Sequence, residues 1–259
     1  MTTTETARPV LVEYEGGVQI VTINRPEVRN AINTAAAQAI ADAMAELDER
    51  DDLVAGVITG AGTTFCAGMD LKAFLQDERP SIEGRGFAGI AQRPPDKPLI
   101  AAVEGYAIAG GFEIVLACDL VVAAENATFG LPEVRRGLLA GGGGLLRLPH
   151  RIPYHMAMEW ILTGGLYPAT AAHTYGLVNR LTEPGRSREG AIELARVIAK
   201  NGPLALRASK QIVTASRDWS LDERFARQQE IYEPVRSSED AREGATAFKE
   251  KRTPKWIGR

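Results

Sequence analysis

The segment Leu99 to Ala124 constrains the fold most, because it is the most apolar part of the chain and yet contains three acidic residues. Glu104, Glu113 and Asp119 interrupt it, so it is too broken to be a membrane span of about 20 apolar residues. A buried carboxylate is costly unless it is paired, hydrogen-bonded or neutralised. Glu113, within "AIAGGFEIVLACDL", therefore needs a specific explanation.

The patterns before and around this segment predict alternating strands and helices. Strands are expected at residues 18–24, which alternate and are rich in β-forming residues, and in "LVAGVITGAG" and "PLIAAVEGYA". Helices are expected from a Thr34 cap to about Glu49, and from Gly110 to about Ala117. "LVVAAENATFGLPE" is expected to hold two short strands around a turn. Residues 77–98 are rich in Gly, Pro and charge, which predicts a loop or a short helix.

The later part of the chain has a different pattern. From Tyr154 onward it is mostly helical, and the amphipathic pieces after Arg188 have no strand pattern between them. This predicts an α/β core over residues 1–196, followed by a helical region over residues 197–259.

Composition excludes several classes of function. The chain is 45% hydrophobic and 24% charged, with a net charge of −3, which is typical of a globular protein and does not favour nucleic acid or an anionic membrane surface. "MTTTETARPV" lacks the basic start and apolar core of a signal peptide. Two cysteines make no disulfide framework, so we expect a cytoplasmic protein in a reducing compartment.

Several catalytic chemistries also lack their motifs. "GAGTTFCAG" has no Lys-Ser/Thr of a phosphate-binding loop, and "GLLAGGGG" lacks the spacing of a dinucleotide fingerprint. No Gly-x-Ser-x-Gly elbow is present. The three histidines are not at metal-ligand spacing, so no metal site is expected. Any chemistry must then depend on carboxylates and on the backbone.

Two glutamates are candidates for acid/base work. Each has a plain structural explanation on its own: Glu113 could lie on a helix surface, and Glu133 in "LPE" could simply begin a helix. Together they suggest more, because burial and mutual repulsion raise the pKa of one carboxyl in an apolar site.

Two glycine-rich turns could supply backbone donors beside these glutamates. "TFCAGMDLK" and "IAGGFE" each place glycine at a predicted strand end or helix start, where backbone N–H groups are left without partners. Two such groups converging on one point would form an oxyanion hole, and glycine allows the ligand oxygen to approach closely.

The motifs "FCAGMDLK", "KPLIAAVEGYAIAGGFEIVLACDLVVAAENATFGLPEVRRGL" and "GGLLRLP", in this order, resemble the enoyl-CoA hydratase (crotonase) superfamily. The resemblance extends from "VTINRPEVRNAIN" to "SSEDAREGATAFKEKR". It implies a crotonase-like spiral of β-β-α turns, with a C-terminal helical trimerisation region that builds a homotrimer or a dimer of trimers.

The resemblance also implies roles for individual residues. Met69 and Gly110 match the two backbone donors to the thioester oxygen, and Glu113 and Glu133 match the two catalytic glutamates of true hydratases. The residues that match the groove for substrate and coenzyme A are Val28, Arg29, Ala67, Gly68, Asp70, Leu71, Lys72 and Pro132. Within this set the Ala67 carbonyl is expected to contact the adenine, and Lys72 to lie near the phosphates.

The implied activity is reversible addition of water to a 2-enoyl-CoA, as in fatty-acid β-oxidation. No metal or redox cofactor is expected, since coenzyme A enters as part of the substrate. Alternatives on the same fold are carnitinyl-CoA dehydration, which "LPE…GGLLRLP" and the C-terminal motif also resemble, and double-bond isomerisation. An alternative of another class is a non-catalytic acyl-CoA-binding scaffold, which the presence of both glutamates disfavours.

The sequence departs from the hydratase pattern in two places. "GLLAGGGG" stands where Ile-Pro-Gly is common after the second glutamate, and Met69 stands where alanine is usual. The Met69 side chain is expected to narrow or reshape the acyl pocket, while its N–H stays available.

Overall fold

The structure, a computed structural model, describes residues 8–259. Most of the "MTTTETARPV" segment, on which the signal-peptide expectation rests, lies outside these residues. The strands are β1 (Val10–Glu15), β2 (Val18–Ile23), β3 (Ala55–Gly60), β4 (Ser81–Ile82), β5 (Gly86–Phe87), β6 (Leu99–Val103), β7 (Tyr106–Ile108), β8 (Leu120–Ala124), β9 (Thr128–Gly130), β10 (Tyr167–Pro168) and β11 (Arg180–Thr182).

The helices alternate with these strands and then continue alone to the C-terminus. They are α1 (Thr34–Glu49), α2 (Leu71–Phe74), α3 (Gly110–Ala117), α4 (Gly144–Arg147), α5 (Tyr154–Thr163), α6 (Ala169–Thr174), α7 (Ser187–Ala199), α8 (Pro203–Ala215), α9 (Arg224–Arg236) and α10 (Glu239–Glu250). Short 3₁₀ turns lie at Pro26–Val28, Pro132–Arg136, Leu148–His150 and Ser216–Asp218.

The strands build a spiral from repeated turns. The large sheet has the order β1-β2-β3-β6-β8-β11, and all its neighbouring pairs are parallel except the β1–β2 hairpin. After each of β6 and β8 the chain adds a short strand, β7 or β9, to a second sheet of order β10-β9-β7. A helix or 3₁₀ turn follows each short strand. This is the spiral of β-β-α turns that the resemblance implies, and the prediction of an α/β crotonase-like fold is confirmed.

The four inner strands of the large sheet, β2, β3, β6 and β8, are buried on both faces, which explains why they are almost continuously apolar. Alternate residues of β6 separate the two sides: Ile100 and Ala102 pack with α7, whereas Leu99, Ala101 and Val103 join the larger core that includes α1 and α3. The period of two along a strand thus assigns each side chain to one of two cores.

The acidic residues of the apolar segment have three different surroundings. Glu104 accepts hydrogen bonds from the Gly185 and Ser187 N–H groups, at 3.0 and 2.9 Å, where α7 begins. Asp119 accepts from the Leu99 N–H at 2.8 Å and pairs with Lys210 at 2.5 Å. Both therefore have structural partners, and only Glu113 faces a cavity.

One local prediction is wrong, and another is incomplete. The cap of α1 is Asn33, whose side chain accepts from the Ala36 N–H at 3.0 Å, because Thr34 is already the first helical residue. Residues 77–98 contain the antiparallel pair β4–β5, with Ser81 opposite Phe87, and no helix. Two-residue strands carry too little periodicity to be distinguished from a loop.

The C-terminal part is helical, as predicted: between Arg188 and Arg259 the structure has no strand. None of the residues of α8 and α9 is buried. The last residues fold back, since Asp240 accepts hydrogen bonds from the Ile257 and Gly258 N–H groups and the Trp256 indole donates to the Lys200 carbonyl. The boundary at 196/197 falls inside α7 and, like the trimer, stays a prediction.

Candidate active site

A loop beside β7 brings the two glycine-rich turns together. The Cys66 N–H donates to the Tyr106 carbonyl at 3.0 Å, and the Ile108 N–H donates to the Cys66 carbonyl at 3.1 Å. Gly68 follows with a φ of +102°, and a Cβ there would lie 3.2 Å from the Gly110 nitrogen. The turn that leads to Met69 therefore lies against the start of α3, and Gly68 permits that approach.

The backbone N–H groups of Met69 and Gly110 are both available. Within residues 8–259 neither donates a hydrogen bond, and Gly110 begins α3, where the first N–H groups have no intrahelical acceptor. Ala109, just before it, has φ 53° and ψ −131°, a strained conformation for a residue with a Cβ. A Cβ at Gly110 would lie 2.5 Å from the Phe87 ring, so a larger residue there would require this ring to move.

Both turns open into a cavity of about 890 Å³. Its lining includes Met69, Gly110, Glu113 and Glu133, so the structure brings the four main predicted residues together. The other lining residues are Ala67, Leu71, Phe74, Ser81, Gly86, Phe87, Ala91, Gln92, Ile108, Ala109, Pro132, Arg136, Leu138, Leu139, Gly141, Gly142, Gly143, Leu146 and Arg147.

Glu113 is fixed in place by backbone. It lies in the first turn of α3, is only 4% exposed, and accepts a hydrogen bond from the Gly144 N–H at 2.9 Å. Burial raises the pKa of Glu113, whereas the Gly144 and Gly142 amides and the charge of Arg147 oppose that rise. Its carboxylate is therefore oriented and partly compensated.

Glu133 is held more loosely. It lies on the 3₁₀ turn Pro132–Arg136 and is half-buried, and its Oε2 has no hydrogen-bond partner within the described residues. Burial raises the pKa of Glu133 to about 7, helped by the negative charge of Glu113 and opposed by its own backbone amide and by Arg136. A carboxyl with this pKa can hold a proton near neutral pH and give it away.

The glycine loop explains how Glu113 obtains its partners. A Cβ on Gly142 would lie 2.6 Å from Glu113 Oε2, and one on Gly144 would lie 3.1 Å from Oε1. The backbone can approach the carboxylate only because these residues have no side chain. "GGGG" was visible as a departure from the family pattern, but the sequence alone did not connect it with Glu113.

Some predicted binding residues lie outside the cavity lining. Ala67, Leu71 and Pro132 line it. The residues that do not are Val28, Arg29, Gly68, Asp70 and Lys72. Gly68 shapes the Met69 turn.

The other four have different surroundings. Asp70 caps α2 by accepting from the Lys72 and Ala73 N–H groups, and it pairs with Arg25 at 3.0 Å. The Arg29 carbonyl accepts from the Ala67 N–H at 3.0 Å, while the Lys72 side chain is exposed and Val28 is half-buried. A role for them in binding coenzyme A stays a prediction.

Sequence reasoning missed several lining side chains. Phe87 comes from β5, in the segment predicted to be a loop or a short helix, and Leu138, Leu139, Leu146 and Arg147 come from the segment around the glycines. The sequence shows apolar residues beside "GGGG", but only the fold brings them next to Glu113 and Glu133.

The arrangement can perform acid/base chemistry beside an oxygen that gains negative charge. Two free N–H groups can stabilise an oxyanion, one oriented carboxylate can take a proton, and one carboxyl with a raised pKa can supply one. Residues 8–259 contain no cluster of three or more His, Cys, Asp or Glu suited to a metal ion, and no helix there is long and apolar enough to cross a membrane.

Comparisons with known proteins agree with this geometry. Residues 13–259 match the family model described as enoyl-CoA hydratase/isomerase. The crystal structure of an enoyl-CoA hydratase from Mycobacterium marinum is 57% identical, with a TM-score of 0.96 over 97% of this chain and 100% of that one. The structure of a carnitinyl-CoA hydratase from Mycobacterium avium is 42% identical, with a TM-score of 0.79 over 98% and 100% of the two chains.

A curated relative bears the name of the alternative reaction. A carnitinyl-CoA dehydratase from Salmonella arizonae is 40% identical over 251 residues, which are 94% of this chain and 96% of that protein. The similar proteins therefore carry two names for related chemistry.

Proposed function

The chain belongs to the enoyl-CoA hydratase/isomerase family, and from that premise we propose that it adds water reversibly to a 2-trans-enoyl-CoA, giving a 3-hydroxyacyl-CoA. One observation carries the proposal. A backbone-bound carboxylate, Glu113, and an unpaired carboxyl, Glu133, share one cavity with two free backbone N–H groups. Water addition needs all of these parts.

The thioester carbonyl oxygen accepts hydrogen bonds from the Met69 and Gly110 N–H groups. As water adds to C3, negative charge moves onto this oxygen, and the two donors and the N-terminus of α3 stabilise it. In other enzymes the loss of one such donor slows the reaction by roughly 10²–10³. The backbone N–H groups thus stabilise the charge that develops during the reaction.

The two glutamates divide the proton transfers. Glu113, whose charge the loop amides and Arg147 favour, holds the water and takes its proton as oxygen bonds to C3. Glu133, with a pKa of about 7, delivers a proton to C2. Proton and hydroxide add across one double bond without any change of oxidation state, so the proposed reaction uses no redox cofactor.

The remaining assignments are also part of the proposal. Coenzyme A enters as part of the substrate, and we assign contacts with the substrate and coenzyme A to Ala67, Leu71 and Pro132, which line the cavity. The pathway and the homotrimer or dimer of trimers rest on the family resemblance, and the cytoplasmic location rests on the cysteine usage.

Carnitinyl-CoA dehydration is the second candidate, because relatives such as that of Salmonella arizonae carry this name. It uses the same reaction in reverse on an acyl group with a trimethylammonium end, so the carboxylate pair fits it equally. Isomerisation is less favoured, since moving one proton between carbons needs only one carboxylate.

The test is hydration of crotonyl-CoA by the parent protein, by Glu133→Gln and by a control, Glu125→Gln, whose glutamate is exposed and outside the cavity. We expect turnover by the parent and the control. Binding of crotonyl-CoA without turnover by the parent would support a non-catalytic scaffold. Migration of the double bond of a 3-enoyl-CoA without hydration would support an isomerase.

A further inference from the structure

Five large apolar side chains of the cavity wall remain solvent-exposed, although such groups are usually covered. They come from three places in the chain. The residues and their exposed fractions are Leu71 (55%), Phe74 (44%), Leu138 (48%), Leu139 (67%) and Leu146 (77%). An apolar patch that is continuous with a reaction cavity suits an apolar part of the substrate.

The order of groups along an enoyl thioester assigns these side chains to the two ends of the substrate. The carbonyl oxygen lies at the Met69 and Gly110 amides, and C2 and C3 lie between the two carboxyl groups. Leu71 belongs to the Met69 side of the site, which would receive the thioester. The acyl chain beyond C3 then continues past the carboxyl groups, where the chain segment between Glu133 and Arg147 supplies the wall.

Leu138, Leu139 and Leu146 lie in that segment and flank the glycines that bind Glu113. We propose that these three leucines form an acyl-end subsite that selects uncharged, extended or branched hydrocarbon groups over cationic ones. The proposal rests on the proposed function, because it places the substrate through the oxyanion hole and the two carboxyl groups.

The charges of the cavity support this selectivity. Within the described lining the charged side chains are Glu113, Glu133, Arg136 and Arg147. Both acids are used by the proposed reaction, which leaves two guanidinium groups, and neither forms an ion pair within residues 8–259.

A trimethylammonium group would therefore lose water without gaining a free carboxylate. It would also enter a cavity with two like charges, which disfavours it further. The rings of Phe74 and Phe87 attract cations. Phenylalanine is a weak cation–π partner next to tryptophan, however, and Phe87 is already packed over Gly110.

The experiment compares two substrates that differ in one atom and one charge. Crotonobetainyl-CoA ends in trimethylammonium, and 5,5-dimethylhex-2-enoyl-CoA ends in the tert-butyl group of the same shape. We expect kcat/KM for the neutral isostere to be at least about tenfold higher, and kcat/KM of unbranched 2-enoyl-CoAs to rise by about fourfold per added methylene over the first few. An equal or higher kcat/KM for the cationic substrate would contradict the proposed subsite.

Two further measurements separate this inference from the proposed function. Calorimetric Kd values of the saturated analogues, 4-trimethylammoniobutyryl-CoA and 5,5-dimethylhexanoyl-CoA, test the subsite without any chemistry, and equal Kd values would contradict it. A failure to hydrate crotonyl-CoA would instead count against the proposed function alone.

Substitutions of the leucines test whether these side chains cause the preference for the neutral substrate. Leu139→Glu adds a carboxylate at an exposed position and should lower the neutral-to-cationic preference by about tenfold. The matched control, Leu162→Glu, changes an equally exposed leucine of α5 outside the cavity and should leave the preference unchanged. An unchanged preference in both Leu139→Glu and Leu146→Glu would remove these leucines from the subsite.

Discussion

The cavity has two glutamates on opposite walls, and their carboxyl groups differ in burial and in hydrogen bonding. Helix α3 forms the helix wall, and the turn Pro132–Arg136 with the glycine loop that follows it forms the loop wall. Helix α3 is buried along its whole length and carries Glu113, which is 4% exposed and bonded to the Gly144 N–H. The turn Pro132–Arg136 has no buried residue and carries Glu133, whose Oε2 has no partner in the described part of the chain. One carboxyl is fixed by the core, and the other is left with an unused oxygen.

The difference separates the proton affinities of the two groups. Burial raises both pKa values, but amides from the glycine loop and the charge of Arg147 compensate the charged form of Glu113. Glu133 has fewer such partners and is repelled by Glu113, which takes its pKa to about 7. Paired carboxyl groups in unequal surroundings can therefore act as base and acid at one pH.

The largest expected effect comes from removing the carboxylate of the helix wall, Glu113. Glu113→Ala should abolish water addition to crotonyl-CoA, because it removes the base that takes the proton of the attacking water. The oxyanion hole and Glu133 remain, so slow exchange of the C2 protons of a saturated acyl-CoA with D₂O should persist. NMR or mass spectrometry at C2, alongside the hydration assay, measures both. Hydration close to the parent rate would make Glu113 a structural residue.

The second prediction concerns the carboxyl group of the loop wall, Glu133. Glu133→Gln should reduce kcat for hydration by roughly 10²–10⁴, since the amide cannot deliver a proton to C2. Binding of crotonyl-CoA should stay near the parent value because shape and polarity are kept. Glu125→Gln, at an exposed position, is the control in the same assay. A near-normal kcat in Glu133→Gln would remove its role as the acid.

The third prediction tests the contact between the glycine loop and the Glu113 carboxylate. Gly142→Ala would place a Cβ 2.6 Å from Glu113 Oε2 and so push the carboxylate out of position, whereas Gly141→Ala has its nearest neighbour, Leu139 Cδ1, at 3.7 Å. We expect kcat/KM to fall by about 10² in the first variant and by less than threefold in the second. Equal effects of the two substitutions would argue against the glycine loop as the support of Glu113.

The helix wall could be predicted from the sequence, but most of the other wall could not. Gly110 to Ala117 forms the expected helix, because an apolar run after paired glycines gives a strong local signal. The role of Gly142 and Gly144 depends on contacts with Glu113 across about 30 positions, which no local pattern contains.

The same reason applies to β4 and β5, whose two-residue strands have no readable period, and to the leucines beside the glycines. The strand β2 and the helix α1 have periodic patterns that predict them, and β6 has a continuous apolar run that is typical of a buried strand. The family resemblance, rather than any pattern, indicated which carboxyl groups would meet.

The fourth prediction concerns the pH dependence of the activity, which the two glutamates should set. Glu133 must be protonated to act as the acid, so kcat/KM for hydration should fall above about pH 7, tending to tenfold per unit. Glu113 must be ionised, and its raised pKa places an acid limb above the usual range of a glutamate. Stopped-flow or steady-state assays with crotonyl-CoA between about pH 5 and 9 would measure this bell. A rate that stays flat through pH 7–9 would contradict the proposed acid.

The smallest expected effect is that of Glu133→Gln on stability. This substitution should stabilise the fold although it lowers the activity. The folded-state pKa of Glu133, about 7, lies above the ordinary value of 4.5, so the folded protein binds this proton more tightly than the unfolded chain does. The resulting contribution to the free energy of unfolding is complete below about pH 4.5 and is lost as pH rises through 7. Glu133→Gln carries no charge in either state and avoids that loss.

Relative to the parent, Glu133→Gln should therefore gain about 1–3 kcal/mol of unfolding free energy between about pH 5 and pH 8. Urea denaturation at the two pH values measures the difference. Glu125→Gln should show no such change, because its side chain is exposed. A catalytic acid that destabilises the fold when ionised is the expected result of a half-buried carboxyl with an unpaired oxygen. If instead the variant gains nothing at the higher pH, solvent or a bound ion compensates the Glu133 charge, and the contrast between the two walls is smaller than their hydrogen bonds indicate.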